Sequence, residues 1–134
     1  YAFRTDSEIT QVGFVIHPLF EMAGASPDSL VNDDGALEVK CPNSSTLIAS
    51  LLGGEIDPDY VKQMQWGLAC SGRAWCDFVS FDSRLPAEMQ LHVRRVKRDD
   101  AMISELEKEV SVFLGEVAET VEKLKALYQR KAAA

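Results

Sequence analysis

Residues 24–42, with the sequence GASPDSLVNDDGALEVKCP, constrain the fold of this chain more than any other stretch. Two segments rich in extended-chain formers flank a group of turn residues, which runs from Asn32 through Asp33 and Asp34 to Gly35. These residue types tolerate the positive φ angles of a tight turn. The pattern therefore predicts a β-hairpin whose centre lies at Asp33.

The predicted hairpin brings together acidic and basic side chains that lie far apart along the chain. A loop with an odd number of residues centred on Asp33 places Asp28 directly across from Glu38. Because side chains alternate along a strand, Glu38 and Lys40 project from one face. Leu37 and Val39 project from the other face, which we expect to pack against a core.

This arrangement has a chemical interpretation and a simpler one. Neighbouring carboxylates repel each other unless a cation lies between them, and oxygen ligands favour Mg²⁺ or Mn²⁺ over zinc. A nearby lysine can orient or deprotonate a water, or neutralise charge on a transition state. The pattern thus indicates metal-dependent hydrolysis of a phosphodiester. The simpler interpretation is an acidic turn beside a solvated Glu-x-Lys strand.

The spacing of these residues resembles a known nuclease signature. Pro27-Asp28 followed by Glu38-Val39-Lys40 resembles the PD-(D/E)xK motif. The longer segment 26–42 resembles the active-site block of the lambda-exonuclease-like (YqaJ-type) viral recombinase family. Segments 63–65 and 71–79 resemble the helix and strand that follow in that family, and the resemblance extends from about residue 17 to about residue 96.

The resemblance implies roles for individual residues. Asp28 and Glu38 would ligate Mg²⁺ or Mn²⁺, and the backbone carbonyl of Val39 would be a further ligand. Lys40 would position or activate the attacking water. Gln65 would pack beside the strand and support that geometry. Its position inside an apolar helical stripe also fits an amide that simply hydrogen-bonds a backbone carbonyl, and both interpretations remain open.

The resemblance also implies an activity and partners. The family members are DNA exonucleases that degrade linear duplex ends from 5′ to 3′ in phage-type recombination, with a single-strand annealing protein, and form ring-shaped trimers. They carry further helices before the position of Tyr1, so the resemblance predicts an N-terminally truncated form. The alternative is an incomplete fragment that binds metal or DNA, or assembles, without cutting.

Composition sets wider limits. The 134 residues are enough for one domain with its own core. The resemblance implies that residues 1–134 form a single nuclease-core domain with a restriction-endonuclease-like α/β fold: a central mixed sheet flanked by helices and a long C-terminal helix. No apolar run is long enough to cross a membrane. Cysteines at positions 41, 70 and 76 lack metal-binding spacing, which favours a reduced, cytoplasmic protein.

Charge gives a mixed signal about DNA binding. The formal net charge is −7, which weakens a nucleic-acid-binding interpretation without excluding it, since the charge is unevenly distributed. Residues 99–122 are strongly acidic, whereas Arg94, Arg95 and Lys97 belong to a basic run at a strand end. This run would contact DNA phosphates, or it is an ordinary solvated strand end.

The remaining periodicity predicts the other elements. We expect strands at residues 12–17, 20–31, 74–81 and 89–96, and helices at residues 45–52, 58–70 and 101–130. The last helix carries a single apolar stripe, with steps of three and four residues. It would either cover the sheet or form a contact between subunits.

Overall fold

The computed structural model describes residues 1–132, which form a mixed α/β fold. The elements in chain order are α1 (Ala2–Thr5), β1 (Ile9–Thr10), β2 (Val15–His17), β3 (Phe20–Ala25), β4 (Ser29–Val31), β5 (Gly35–Lys40), α2 (Ser44–Leu51), α3 (Pro58–Ser71), β6 (Trp75–Phe81), β7 (Leu91–Lys97) and α4 (Asp100–Ala132). Five strands form one sheet in the order β1-β4-β5-β6-β7, and β2 and β3 form a separate hairpin.

The central hairpin has the predicted register. Ser29 pairs with Leu37 and Val31 pairs with Gly35, so the turn consists of residues 32–34 and is centred on Asp33. Asn32 adopts a φ of 47°, within the left-handed region that asparagine tolerates better than most residues. Burial of Val31 and Leu37 against β6 then fixes the register, because a slip of one residue would move both side chains out of this cluster to the opposite face of the sheet.

A helical crossover joins β5 to β6, which pair in parallel. Parallel neighbours need such a connection, and α2 and α3 provide it. The α3 helix begins where Asp57 Oδ1 accepts the N–H of Asp59 at 2.9 Å, and it ends at Gly72 with a φ of 69°. Its residues Met64 and Leu68 pack against the sheet and hold α3 over β5 and β6.

Several predicted boundaries differ from the structure. The expected strand at 20–31 is two strands, β3 and β4, which belong to different sheets. The break falls at Ser26, Pro27 and Asp28, because proline cannot donate to a strand ladder. The expected strand at 12–17 is shortened to β2, and β7 begins at Leu91, two residues later than predicted.

The sheet face opposite α3 carries an ion pair that the sequence did not predict. Asp77, buried in β6, accepts hydrogen bonds from Arg95 Nε and Nη2 at 2.8 and 2.9 Å and from the Tyr1 hydroxyl at 2.5 Å. The Arg95 guanidinium also lies 3.5 Å from the centroid of the Trp75 ring. Burial alone would raise the pKa of Asp77, but these hydrogen bonds and the Arg95 charge outweigh it and lower that pKa.

The long helix α4 packs along only part of its length. Ile103, near its start, is buried, and the helix contacts α3 and β3. Further along, Phe113, Leu124 and Tyr128 are 61%, 49% and 71% exposed. Within residues 1–132, no helix has both the length and the apolar character needed to cross a membrane.

Candidate active site

The acidic residue that precedes β4 is fastened to the backbone of β5. Asp28 lies just before the first paired residue of the hairpin, so extending the register by one pair places it opposite Glu38. Its Oδ2 accepts the backbone N–H of Val39 at 2.6 Å. The Asp28 carboxylate therefore accepts the Val39 N–H at the point where the ladder between β4 and β5 has ended. The main chain of Val39 fixes the position of this carboxylate.

The backbone of Val39 is oriented toward Asp28. A residue in a strand points its N–H and C=O to the same side, and the N–H of Val39 points to Asp28, so the carbonyl faces that side as well. The prediction that the Val39 side chain faces a core is wrong, since it is 37% exposed. It lines a groove with Tyr1 and Phe3, because only the short α1 lies over this end of the sheet.

Glu38 is the centre of a buried polar group. It is 6% exposed, and its Oε1 lies 2.5 Å from Lys40 Nζ. The same oxygen accepts a hydrogen bond from Gln63 Nε2 at 2.7 Å. Two donors on one oxygen orient the carboxylate and leave Oε2 without a hydrogen bond to any residue that the structure describes.

Lys40 is held as a cation in this arrangement. Partial burial would lower its pKa, but the hydrogen bond to Glu38 and the charges of Glu38 and Asp28 raise it above the ordinary lysine value. The ammonium also lies 4.8 Å from the centroid of the Tyr60 ring. A charged Lys40 is suited to orienting a water or an anionic group, rather than to accepting a proton from it.

A cavity of about 610 Å³ opens beside Lys40. Lys40 and Phe78 of the sheet and Tyr60 of α3 line it, together with residues 54–58, which include the end of the preceding loop and the start of α3. Cys41 also lines this cavity and is exposed, whereas Cys70 and Cys76 are buried. Burial raises the pKa of Cys70 to about 11 and that of Cys76 to about 12.

The donor set suits a hard cation that keeps most of its water ligands. Within the described chain, no cluster of three or more His, Cys, Asp or Glu side chains is arranged to hold a metal. A cation here would bind through Asp28, Glu38 and the Val39 carbonyl. Mg²⁺ commonly binds through one or two carboxylates and retains several waters, so these oxygens fit it. They fit zinc poorly, since zinc prefers nitrogen and sulfur ligands.

Comparison with known proteins identifies the family. The model of the YqaJ-like viral recombinase domain matches residues 1–74, which include the whole hairpin. The chain belongs to the YqaJ-like viral recombinase family. No curated protein matches the chain significantly.

Two solved structures resemble this family member along almost its whole length. One is an alkaline exonuclease from Laribacter hongkongensis, with 50% sequence identity and a TM-score of 0.91. The other is the same exonuclease in complex with dAMP, also 50% identical, with a TM-score of 0.90. In both cases the alignment covers 99% of this chain and 66% of the other.

One predicted residue of the YqaJ-like site lies elsewhere. Gln65 donates to the Lys97 carbonyl at 2.8 Å and accepts the Asp99 N–H at 2.9 Å, so its amide joins α3 to the β7–α4 junction. The interpretation in which Gln65 supports the geometry of Lys40 is therefore wrong, and the one in which its amide hydrogen-bonds a backbone carbonyl is confirmed. A helix turns about 100° per residue, and Gln65 points away from β5 whereas Gln63 points toward it.

Gln63 is the residue that sequence reasoning missed. A polar residue inside an apolar helical stripe attracts attention, and Gln65 lies within the stripe of α3. Gln63 flanks that stripe and therefore looks like an ordinary surface residue. A usable signal was the spacing of Tyr60 and Gln63, since residues three apart share a helix face. Both side chains reach the end of β5 that carries Glu38 and Lys40.

The three basic residues predicted to contact DNA do not all lie on one face of the sheet. Arg94 lies on the same sheet face as Glu38 and Lys40, and its Nη1 donates to the carbonyl of Gly54. Arg95 lies on the opposite face and is paired with Asp77. Lys97 is exposed and follows Arg95 on that opposite face by strand alternation. Only Arg94 lies on the face of the candidate site.

Proposed function

We propose that this chain carries the catalytic core of a metal-dependent DNA exonuclease. The proposed reaction is hydrolysis of phosphodiester bonds at the ends of linear double-stranded DNA, in the 5′-to-3′ direction, during phage-type recombination. The enzyme would be of the PD-(D/E)xK type and would use Mg²⁺ or Mn²⁺. Its partners would be duplex DNA, a single-strand annealing protein and further copies of the same chain, as in the trimers of the family. The three reduced cysteines fit a cytoplasmic setting.

One observation carries this proposal. Glu38 receives Lys40 and Gln63 on a single oxygen, and Asp28 is fixed next to it by the backbone of Val39. This arrangement lies inside the family match and within a fold shared with an alkaline exonuclease that is 50% identical.

Each residue would contribute a separate element of the chemistry. Asp28, Glu38 and the Val39 carbonyl would hold the cation, which supplies Lewis acidity and lowers the pKa of a bound water. Lys40, as an ammonium, would orient the attacking water and offset negative charge on the phosphate. Gln63 would keep the Glu38 carboxylate in one orientation, which is the usual work of a group that supports a ligand. Arg94 would contact the DNA backbone from the same face.

The test is digestion of linear duplex DNA that carries 5′-phosphates. We expect degradation in Mg²⁺, none in EDTA, and none with Lys40→Ala, because that substitution removes the cation next to the scissile phosphate. Lys108→Ala is the matched control, since Lys108 is an exposed lysine on α4. It should retain full activity.

The choice of label separates the parts of the proposal. Release of mononucleotides from a labelled 5′ end before the 3′ end supports the stated polarity. Metal-independent degradation, or an active Lys40→Ala variant, would contradict the assignment of the site. A folded protein that binds duplex DNA in Mg²⁺ without degrading it would favour the non-cutting alternative.

A further inference from the structure

An aromatic ring lies against the catalytic lysine that we have proposed. The Nζ atom of Lys40 is 4.8 Å from the centroid of the Tyr60 ring. Tyr60 lies in the first turn of α3, and its ring packs on the buried Phe78 with centroids 5.6 Å apart and a tilt of 32°. Phe78 is the strand neighbour of Glu38. The ring is therefore anchored to the sheet at the level of the candidate site.

Two side chains of α3 reach the end of β5 that carries Glu38 and Lys40. Gln63 binds Glu38, and Tyr60, one helical turn earlier, faces Lys40. Without the ring, the long lysine side chain would be free to swing into the cavity of about 610 Å³ that it lines. The Tyr60 ring lines the same cavity and lies next to the Lys40 ammonium.

We propose that Tyr60 is a positioning residue, whose ring face holds the Lys40 ammonium beside Glu38 during the reaction. This inference rests on the proposed function. An ammonium has three N–H donors, and in this structure Glu38 accepts one of them. A ring face attracts the cation through its quadrupole and requires no directed hydrogen bond. It restrains the ammonium and leaves the remaining donors available to water or phosphate.

The role belongs to the ring rather than to the hydroxyl. The Tyr60 hydroxyl donates no hydrogen bond to any residue that the structure describes, whereas its ring contacts both Lys40 and Phe78. Phenylalanine should therefore replace tyrosine, and an aliphatic residue should not. Tyr60→Phe and Tyr60→Leu form the test pair, and Phe14→Leu, just before β2, where the side chain is 65% exposed, is the control.

The first readout does not depend on catalysis. Protons over an aromatic face resonate upfield, so the ε-CH₂ signal of Lys40 in ¹³C-lysine-labelled protein should be shifted. Loss of the signal in Lys40→Ala assigns it. We expect the shift to persist in Tyr60→Phe and Phe14→Leu and to disappear in Tyr60→Leu. An unshifted signal in the unsubstituted protein, or one that is unchanged in Tyr60→Leu, would overturn the proposal.

The second readout is the rate of DNA digestion. Tyr60→Leu should lower kcat about three- to tenfold with KM nearly unchanged, as expected for loss of a partly desolvated cation–π contact. Tyr60→Phe should restore kcat. A raised KM with unchanged kcat would overturn the proposal, because it would make the ring a surface for binding DNA. Tyr60→Met, which keeps flexible apolar packing on Phe78, repeats the test if the leucine variant unfolds.

The two proposals can fail separately. A protein without nuclease activity contradicts the proposed function. The Lys40 resonance then still shows whether the Tyr60 ring contacts Lys40. A protein with nuclease activity that is indifferent to Tyr60→Leu retains the proposed function and removes Tyr60 from it.

Discussion

Gln63 and Gln65 lie two residues apart on one helix and serve different purposes. The Gln63 amide binds the Glu38 carboxylate, whereas the Gln65 amide satisfies the Lys97 carbonyl and the Asp99 N–H. Gln65 is 2% exposed, so its own amide is shielded from water and depends on these two partners. We therefore expect Gln63 to affect the candidate site and Gln65 to affect stability.

Substituting each glutamine should separate the two effects. We expect Gln63→Ala to lower the rate of DNA digestion about tenfold or more, with little change in the free energy of unfolding, because Glu38 loses an orienting donor. Gln65→Ala should lower the free energy of unfolding by about 1–3 kcal/mol, since the part-buried Lys97 carbonyl and Asp99 N–H both lose their partner. Chemical denaturation and a digestion assay measure both. The reverse pattern would contradict the assignment of Gln63 to the site.

Asp77 gives a prediction about acid stability. Its pKa in the folded protein is lowered, because the Arg95 and Tyr1 hydrogen bonds outweigh the effect of burial. A lowered pKa stabilises the fold above the unfolded-state value of about 4, and the contribution is lost as the pH falls through the folded value. Asp77→Asn should therefore reduce the melting temperature at pH 7. The difference from the unsubstituted protein should shrink below about pH 4.

Thermal melts of both proteins between pH 3 and pH 8 test this prediction. Asp33→Asn is the control, because Asp33 lies exposed in the turn of the central hairpin. A difference between Asp77→Asn and the unsubstituted protein that stays constant across this range would show that the Asp77 carboxylate is not linked to folding.

At the scale of elements, local patterns were predictable and distant partners were not. The hairpin register followed from the turn residues and from strand alternation, both of which act within about ten residues. The caps of α3 followed from Asp57, Pro58 and Gly72 in the same way. The face of α3 that meets β5 depends on how the crossover packs, and periodicity alone does not specify it.

The Asp77–Arg95 pair shows the same limit. The sequence indicates that Arg95 lies in a basic run at a strand end, but its partner is 18 residues away on the neighbouring strand. Only the pairing of β6 with β7 brings Asp77 and Arg95 to the same position. A solvated or DNA-binding side chain therefore looked equally reasonable, and the structure shows an ion pair between the half-exposed Arg95 and the buried Asp77.

Helix α4 carries an apolar stripe that the rest of the described chain leaves open. Ile103 is buried, whereas Val121, Leu124 and Tyr128 are 40%, 49% and 71% exposed. We predict that the chain self-associates through this stripe, since a helix with an open apolar face gains free energy by burying it. Light scattering should give a molar mass that rises with protein concentration.

A charged residue within the stripe tests that prediction. Leu124→Lys should shift the equilibrium toward the monomer and leave the circular dichroism spectrum unchanged. Glu119→Lys introduces the same residue at an exposed acidic position of α4 and adds two positive charges rather than one, so it is the control for added positive charge. A monomer at every concentration tested would contradict the prediction.

At the scale of the whole molecule, charge is separated in space. The net charge is −7, and residues 99–122 carry eight carboxylates and one lysine, whereas Lys40 and Arg94 lie at the candidate site beside the carboxylates of Asp28 and Glu38. Net charge alone is thus a poor guide to whether this fold binds a polyanion such as DNA. Association with DNA would depend on the local field at that face, which weakens as ionic strength rises.

The distribution of thiols has a practical consequence. Cys41 is exposed and lines the cavity beside Lys40, whereas Cys70 and Cys76 are buried and have raised pKa values. Alkylating reagents and air oxidation act on accessible thiolates, so they would modify Cys41 rather than the two buried cysteines. A storage buffer without reductant would thus alter the neighbourhood of Lys40 before any other part of the protein.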